Sequence, residues 1–184
     1  MLKNYSLLGK KALILGASQG LGLGVARALS EAGATVIIAS RNHSKLEKAI
    51  TTLSIEKGQQ HKWVEIDTMH LAESKNTIEA LVDSEDGIDI LINNTGGPTP
   101  KSMLDTTIED LENGFISHLL HTHQTSLLLL PHMRKNGFGR IVNILSTSIK
   151  EPIDQLGVSN TIRVAVANWA KTLSREVAID GVTI

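Results

Sequence analysis

Ala12-Leu-Ile-Leu15-Gly16-Ala-Ser-Gln-Gly20-Leu-Gly22 is an apolar run that breaks into three glycines spaced G-x-x-x-G-x-G, with a helix-spaced segment directly behind them. A tight turn after a strand calls for a residue without a Cβ at Gly16. A missing side chain at Gly20 lets a pyrophosphate approach the backbone, and Gly22 allows close packing of helix on sheet. The helix that follows offers free N–H groups and the positive end of its dipole to phosphates. Strand before and helix after, the turn reads as a dinucleotide site contributed by Gly16, Ser18, Gln19, Gly20, Leu21 and Gly22 rather than as a bare loop.

Working outward, short runs rich in Ile and Val at 12–15, 35–39, 63–66, 88–92 and 141–145 read as strands. They lack the alternation of a half-exposed sheet, so both faces are expected to be covered, as in a parallel sheet between helices. Between them lie segments of helical spacing. Leu21, Val25, Ala28, Leu29 and Ala32 fall on one face, and Gly33 stands where a left-handed C-terminal residue belongs. Segments 46–53, 78–82 and 108–133 repeat the pattern, with Pro131 expected to kink or end the last. Such β-α-β alternation with right-handed crossovers predicts an α/β fold, a doubly wound parallel sheet of the Rossmann type, occupying residues 1–184 as a single dinucleotide-binding domain.

Composition narrows the classes. The 184 residues are 41% hydrophobic, enough for one sizeable core. A net charge of −1 and the absence of a Lys/Arg stripe argue against nucleic acid and anionic membrane as partners. No cysteine is present, which removes thiolate chemistry and Cys-ligated zinc and suits a reducing compartment. The first ten residues show no apolar stretch of signal-peptide length, and Leu127-Leu-Leu-Leu130 is too short to span a bilayer, so a cytoplasmic protein is expected.

From the glycine turn onward the chain resembles the short-chain dehydrogenase/reductase family, in particular its 3-oxoacyl-acyl-carrier-protein reductases. Four later segments agree in order. Asn93-Asn-Thr-Gly96 looks like the family's N-N-A-G element, with Thr95 for Ala, and the resemblance implies that Asn93, Thr95 and Gly96 shape the sheet edge near the adenosine ribose. Asp67 matches the position that contacts the adenine amino group. Gly139-Arg-Ile-Val-Asn-Ile-Leu-Ser146 looks like the strand delivering the catalytic serine, which assigns that role to Ser146. Trp169 to Glu176, followed by Gly181-Val-Thr-Ile184, resembles the long interface helix and the start of a sixth strand. Family chains run on past the position matching Ile184, so the resemblance implies a fold lacking the last strands and the substrate lid, with the nicotinamide half of the cleft left open. It also implies a homodimer or homotetramer formed through helices 108–134 and 158–178, although Leu127–Leu130 would equally suit a buried core helix.

The end of the second strand bears on cofactor choice. A site selecting NAD usually carries a carboxylate there for the ribose hydroxyls. Ser40 and Arg41 stand in its place, and a guanidinium suits forked contact with a 2′-phosphate. NADP(H) is therefore preferred and NAD(H) stays compatible; the plainer reading of Arg41 is a solvated residue before the next helix.

Proton transfer is the less legible half. Hydride transfer to a carbonyl leaves an oxyanion that must receive a proton. In the family a Tyr supplies it, a Lys lowers the Tyr pKa and holds the nicotinamide ribose, and an Asn anchors a water relay. By alignment these positions are Ser159, Arg163 and His118. A serine hydroxyl titrates far above a phenol, and Arg gives up no proton near neutral pH, so binding survives this change better than proton transfer. Tyr5, the only tyrosine, precedes the first strand and is not expected to substitute. His118 facing the cleft would be a general acid, with Ser146 polarising the carbonyl. The plainer reading makes His118, His121, His123 and His132 polar residues of a partly exposed or interface helix, and no metal site is expected from their spacing.

The expectation is thus an NADP(H)-dependent oxidoreductase of the short-chain type acting on a small-molecule carbonyl, hydroxyl or acyl thioester substrate, with impaired activity. The alternative is a non-catalytic dinucleotide-binding protein, a sensor or an assembly subunit.

Overall fold

The computed structural model describes residues 6–184. Six strands, β1 (Lys11–Leu15), β2 (Thr35–Ser40), β3 (Lys62–Glu65), β4 (Ile90–Asn93), β5 (Gly139–Asn143) and β6 (Val182–Thr183), form one sheet in the order β3-β2-β1-β4-β5-β6. Every neighbouring pair is parallel. Helices α1 (Gly20–Glu31) and α2 (His43–Ile50) cover one face, through Ala26, Leu46 and Ala49 against Ile14, Ile38 and Ile92. On the other face α3 (Leu71–Ser84), α5 (His121–Lys135) and α6 (Gly157–Val177) bring Ile78, Leu129, Met133 and Val177 onto Leu13, Ile37 and Leu91. A parallel sheet needs helices on both faces to bury it, which is why β1, β2 and β4 read as unbroken apolar runs.

That reading fails at the flanks. β3 is the outer strand and only partly buried, and Val142 on β5 is 44% exposed. Val142 pairs with Ile92 and so faces the α1 side, beyond the reach of α1 and α2.

Three helical expectations need correction. Gly22, Ala26 and Ser30 form the buried face of α1, whereas Leu21 is 71% exposed, so the stripe is turned from the one expected. Small residues face the sheet here because the glycine turn brings the helix close to it. The expected 108–133 helix is three pieces: α4 (Ile108–Gly114), a π-helical segment Phe115–Leu120, and α5. Finally, of the kink or end expected at Pro131 the end does not occur: α5 continues to Lys135, with Leu129, Leu130 and Met133 anchoring it on both sides of the proline. Gly33 adopts φ +102° after α1, and β6 forms against Gly139 and Arg140, as the sequence suggested. Among the described residues no helix is long and apolar enough to cross a membrane.

The strand order reverses between β1 and β4, and the loops leaving their C-terminal ends diverge. Open α/β sheets place their ligand site in that crevice.

Candidate functional site

The phosphate side of the crevice is built from backbone. Gly16 has φ +61°, a left-handed conformation, and a Cβ there would run into the main chain and side chain of Asn94. Gly22 is equally confined: a Cβ would lie 2.8 Å from Asn94 Nδ2 and 2.9 Å from Ala17 Cα. Asn94 holds the turn by donating from Nδ2 to the carbonyls of Leu15 (3.3 Å) and Gly16 (3.1 Å). The motif spacing pointed to the neighbouring Asn93 instead. Asn93 is instead buried and donates to Asn143 Oδ1 at 2.9 Å, while its own Oδ1 has no partner. The doubled Asn at the end of a buried strand was the available signal.

The turn suits a diphosphate. Gln19 is the N-cap of α1 in an extended conformation, yet its side chain accepts no capping bond, so the first-turn N–H groups keep their donors for a ligand. A Cβ on Gly20 would meet nothing within 4 Å, which leaves open space over the backbone. Leu21 projects to solvent and offers its N–H, and Ser18 is part-buried in the same turn. Nearby, Arg41 follows β2 and is exposed, while Asn42 caps α2 by accepting from Lys45 N at 2.9 Å. Asp67, two residues past β3, accepts from Met69 N at 2.9 Å.

On the chemical side, a small cavity is lined by Asn93, Thr95, His118, Thr122, Asn143 and Arg163, together with Ile144, Leu145 and Val166. Thr122, one turn after His118, and Asn143, the strand partner of Asn93, join the predicted residues here. His118 is 3% exposed and hydrogen-bonded through Nδ1 to Thr95 Oγ1. Arg163 donates from Nη1 to the carbonyl of Ile144 at 3.0 Å. Burial, and secondarily the nearby Arg163 charge, pushes the His118 pKa down to about 4. Burial also lowers the Arg163 pKa, although a guanidinium stays protonated at neutral pH. His118 therefore stands in the cavity wall as an uncharged imidazole at pH 7.

The partly exposed helix expected for the histidines is also corrected. His121 is fully buried, bonded to Ser74 Oγ at 2.7 Å, and burial holds its pKa near 4 against the raising influence of Asp67. Only His123 is exposed, where it accepts from Trp169 Nε1 at 3.1 Å. The π-helical segment turns the chain so that His118 and His121 both point inward, and an even 3.6-residue periodicity carries no sign of it.

Ser146 ends the stretch after β5 and starts a 3₁₀ turn (Thr147–Ile149), with Oγ accepting from Ser148 N at 3.1 Å. That bond uses a lone pair and leaves the hydroxyl proton free to donate. Ser159 lies on the first turn of α6, half-buried; neither serine lines the cavity. Tyr5 lies outside the described residues. Among the described residues no three His, Asp or Glu side chains converge as metal ligands.

Residues 10–184 match the family model described as short chain dehydrogenase. Ketoacyl reductase HetN of Nostoc sp. is 30% identical over 179 residues, which is 97% of this chain and 62% of that protein. The 3-oxoacyl-[acyl-carrier-protein] reductase FabG of Aquifex aeolicus is 30% identical over 94% of this chain and 69% of its own length. Among solved structures, L-sorbose reductase from Gluconobacter frateurii complexed with NADPH and L-sorbose superposes with a TM-score of 0.90 at 26% identity, covering 96% of this chain and 67% of that one. The chain spans less than two thirds of the Nostoc relative and of an oxidoreductase from Mycobacterium tuberculosis, covering 62% and 65% of their lengths.

Proposed function

The chain belongs to the short-chain dehydrogenase family, and we propose that it binds NADP(H) through an intact phosphate crevice beside a chemical site whose proton-donating group has been replaced. The observation that carries this reading is the glycine turn locked by Asn94, with its helix N–H groups uncapped. When bound, the nicotinamide would supply or accept a hydride. In this reading Ser146, whose Oγ accepts from Ser148 N and keeps its own proton, would donate that proton to a substrate carbonyl oxygen. Arg163 supplies fixed positive charge in the cavity wall, and His118, uncharged and braced by Thr95, shapes that wall. Neither Ser159 nor Arg163 can act as the phenol and ammonium would.

The reaction proposed is carbonyl reduction or alcohol oxidation on a small molecule or acyl thioester, at a rate lowered by these replacements. The same replacements favour a second reading, a dinucleotide-binding protein without turnover. Following the absorbance of reduced nicotinamide over a panel of ketones separates the two: slow consumption supports the first, bound but unconsumed cofactor the second. For either, NADP(H) at a hundred times its dissociation constant should add about 2.7 kcal/mol of stability. Absence of any thermal shift with NADP(H) or NAD(H) would sink both. Half-exposed Phe115, Leu120, Leu127 and Val164 along α4 to α6 support self-association into a dimer or tetramer, which light scattering on the eluted protein measures.

A further inference from the structure

Lys45 occupies the first turn of α2, where a cation opposes the helix dipole and gains nothing from it. Its ammonium nevertheless reaches across to the glycine turn and donates to Gln19 Oε1 at 2.8 Å. An amide oxygen holds the ammonium in place without cancelling its charge. The carboxylates on either side are engaged elsewhere: Glu65 and Glu47 lie 2.7 and 3.4 Å from the ring nitrogens of His43. Among the described residues neither Lys45 nor Arg41 forms an ion pair. Two uncompensated cations therefore flank one short stretch, between the end of β2 and the N-terminus of α1.

That stretch is where a doubly wound fold sets the adenosine ribose, with its 2′ substituent facing the end of β2. We propose that Lys45 is a second ligand, beside Arg41, for the 2′-phosphate that distinguishes NADP(H), an inference that rests on the NADP(H) reading above. A phosphate monoester carries about −1.5 to −2 charges at neutral pH, which one guanidinium does not neutralise. Arg41 supplies a planar fork and Lys45 a mobile point charge, and the Gln19 bond parks Lys45 at the rim until the phosphate takes its place.

Isothermal titration of the full chain with adenosine 2′,5′-bisphosphate and with adenosine 5′-monophosphate isolates this contact, because the two probes differ only in the 2′-phosphate and neither carries a nicotinamide. The unaltered protein should bind the bisphosphate more tightly. Lys45→Gln should reduce that preference about tenfold while leaving the monophosphate affinity unchanged, and Lys45→Arg should keep most of it. The preference should also weaken less steeply with added salt in Lys45→Gln than in the unaltered chain. If Lys45→Gln retains the full preference, or loses affinity equally for both probes, Lys45 is not a phosphate ligand. If the unaltered chain shows no preference at all, the NADP(H) reading falls together with this one.

Discussion

The two ends of the crevice hang from adjacent residues yet are made of different material. Asn94 fastens the glycine turn, and Thr95, the next residue, braces His118 at the chemical end. At the phosphate end the groups aimed at a ligand are main-chain N–H donors, so the fold dictates side chains chiefly by forbidding them. At the chemical end the outcome depends on which side chain stands at each point, here Thr95, His118 and Arg163 around one small cavity. Main-chain sites tolerate drift in everything except shape, whereas a proton-transfer site changes character with one substitution.

The largest expected effect tests the shape requirement. Gly16→Ala forces a Cβ against Asn94 in a backbone conformation that L residues avoid, and should cost roughly 4 kcal/mol together with the loss of nucleotide binding. Denaturant unfolding and calorimetric titration read the two consequences separately. A Gly16→Ala protein that binds NADP(H) as before would erase the contrast between the two ends.

The opposite manipulation repairs the chemical end. The double variant Ser159→Tyr with Arg163→Lys returns a phenol and an ammonium to α6, and turnover should rise on the order of 10²-fold or more, the usual yield of a positioned acid. The NADP(H) dissociation constant should stay within a few-fold, since the turn is untouched. Unchanged turnover in steady-state assays would mean that the barrier lies elsewhere in the cleft.

The same contrast explains what was legible in the sequence. The strand–glycine–helix run and the β-α-β alternation are local patterns, and they yielded the sheet, its helices and the turn from Gly16 to Gly22. Asn94 escaped because its task is a contact between residues 78 positions apart, and the spacing of a motif does not record which of two asparagines points inward. Leu21 was misread because apolar periodicity assumes that the buried face is the greasy one, while here glycine, alanine and serine pack against the sheet. For His118 and His121 the spacing left a cleft-facing position and a partly exposed or interface helix both open, because an even 3.6-residue period carries no sign of the π-helical segment Phe115–Leu120.

Their burial gives the third prediction. Both histidines titrate near 4 in the fold and near 6.5 when unfolded, so between those values the unfolded chain binds more protons. Stability is therefore complete above about pH 6.5 and declines as pH falls toward 4, by up to about 3 kcal/mol for each histidine. Unfolding midpoints measured across this window should show the decline, and His118→Gln should remove about half of it. The phosphate turn has no such group, so this acid sensitivity belongs to the chemical end and to the layer beneath it.

The smallest effect locates the rim of the chemical end. Thr107 and Asp110 cap α4 reciprocally, Thr107 Oγ1 accepting from Asp110 N at 3.1 Å and Asp110 Oδ2 accepting from Thr107 N at 2.9 Å. Lys101 also binds Asp110, at 2.6 Å, and its backbone bridges to Gln155 and Gly157, so the cap ties the loop after β4 to the loop that leads into α6. Thr107→Ala should cost about 1 kcal/mol, the ordinary worth of an N-cap, and leave nucleotide affinity untouched. The Lys101 ammonium, with help from Thr107, holds the Asp110 pKa down to about 2, so this carboxylate loses its favourable contacts only below about pH 3.8. Its acid loss is thus separated in pH from that of the histidines. If Thr107→Ala weakens NADP(H) binding as much as it weakens the fold, the rim and the phosphate turn form one cooperative unit, and the division between the two ends is wrong.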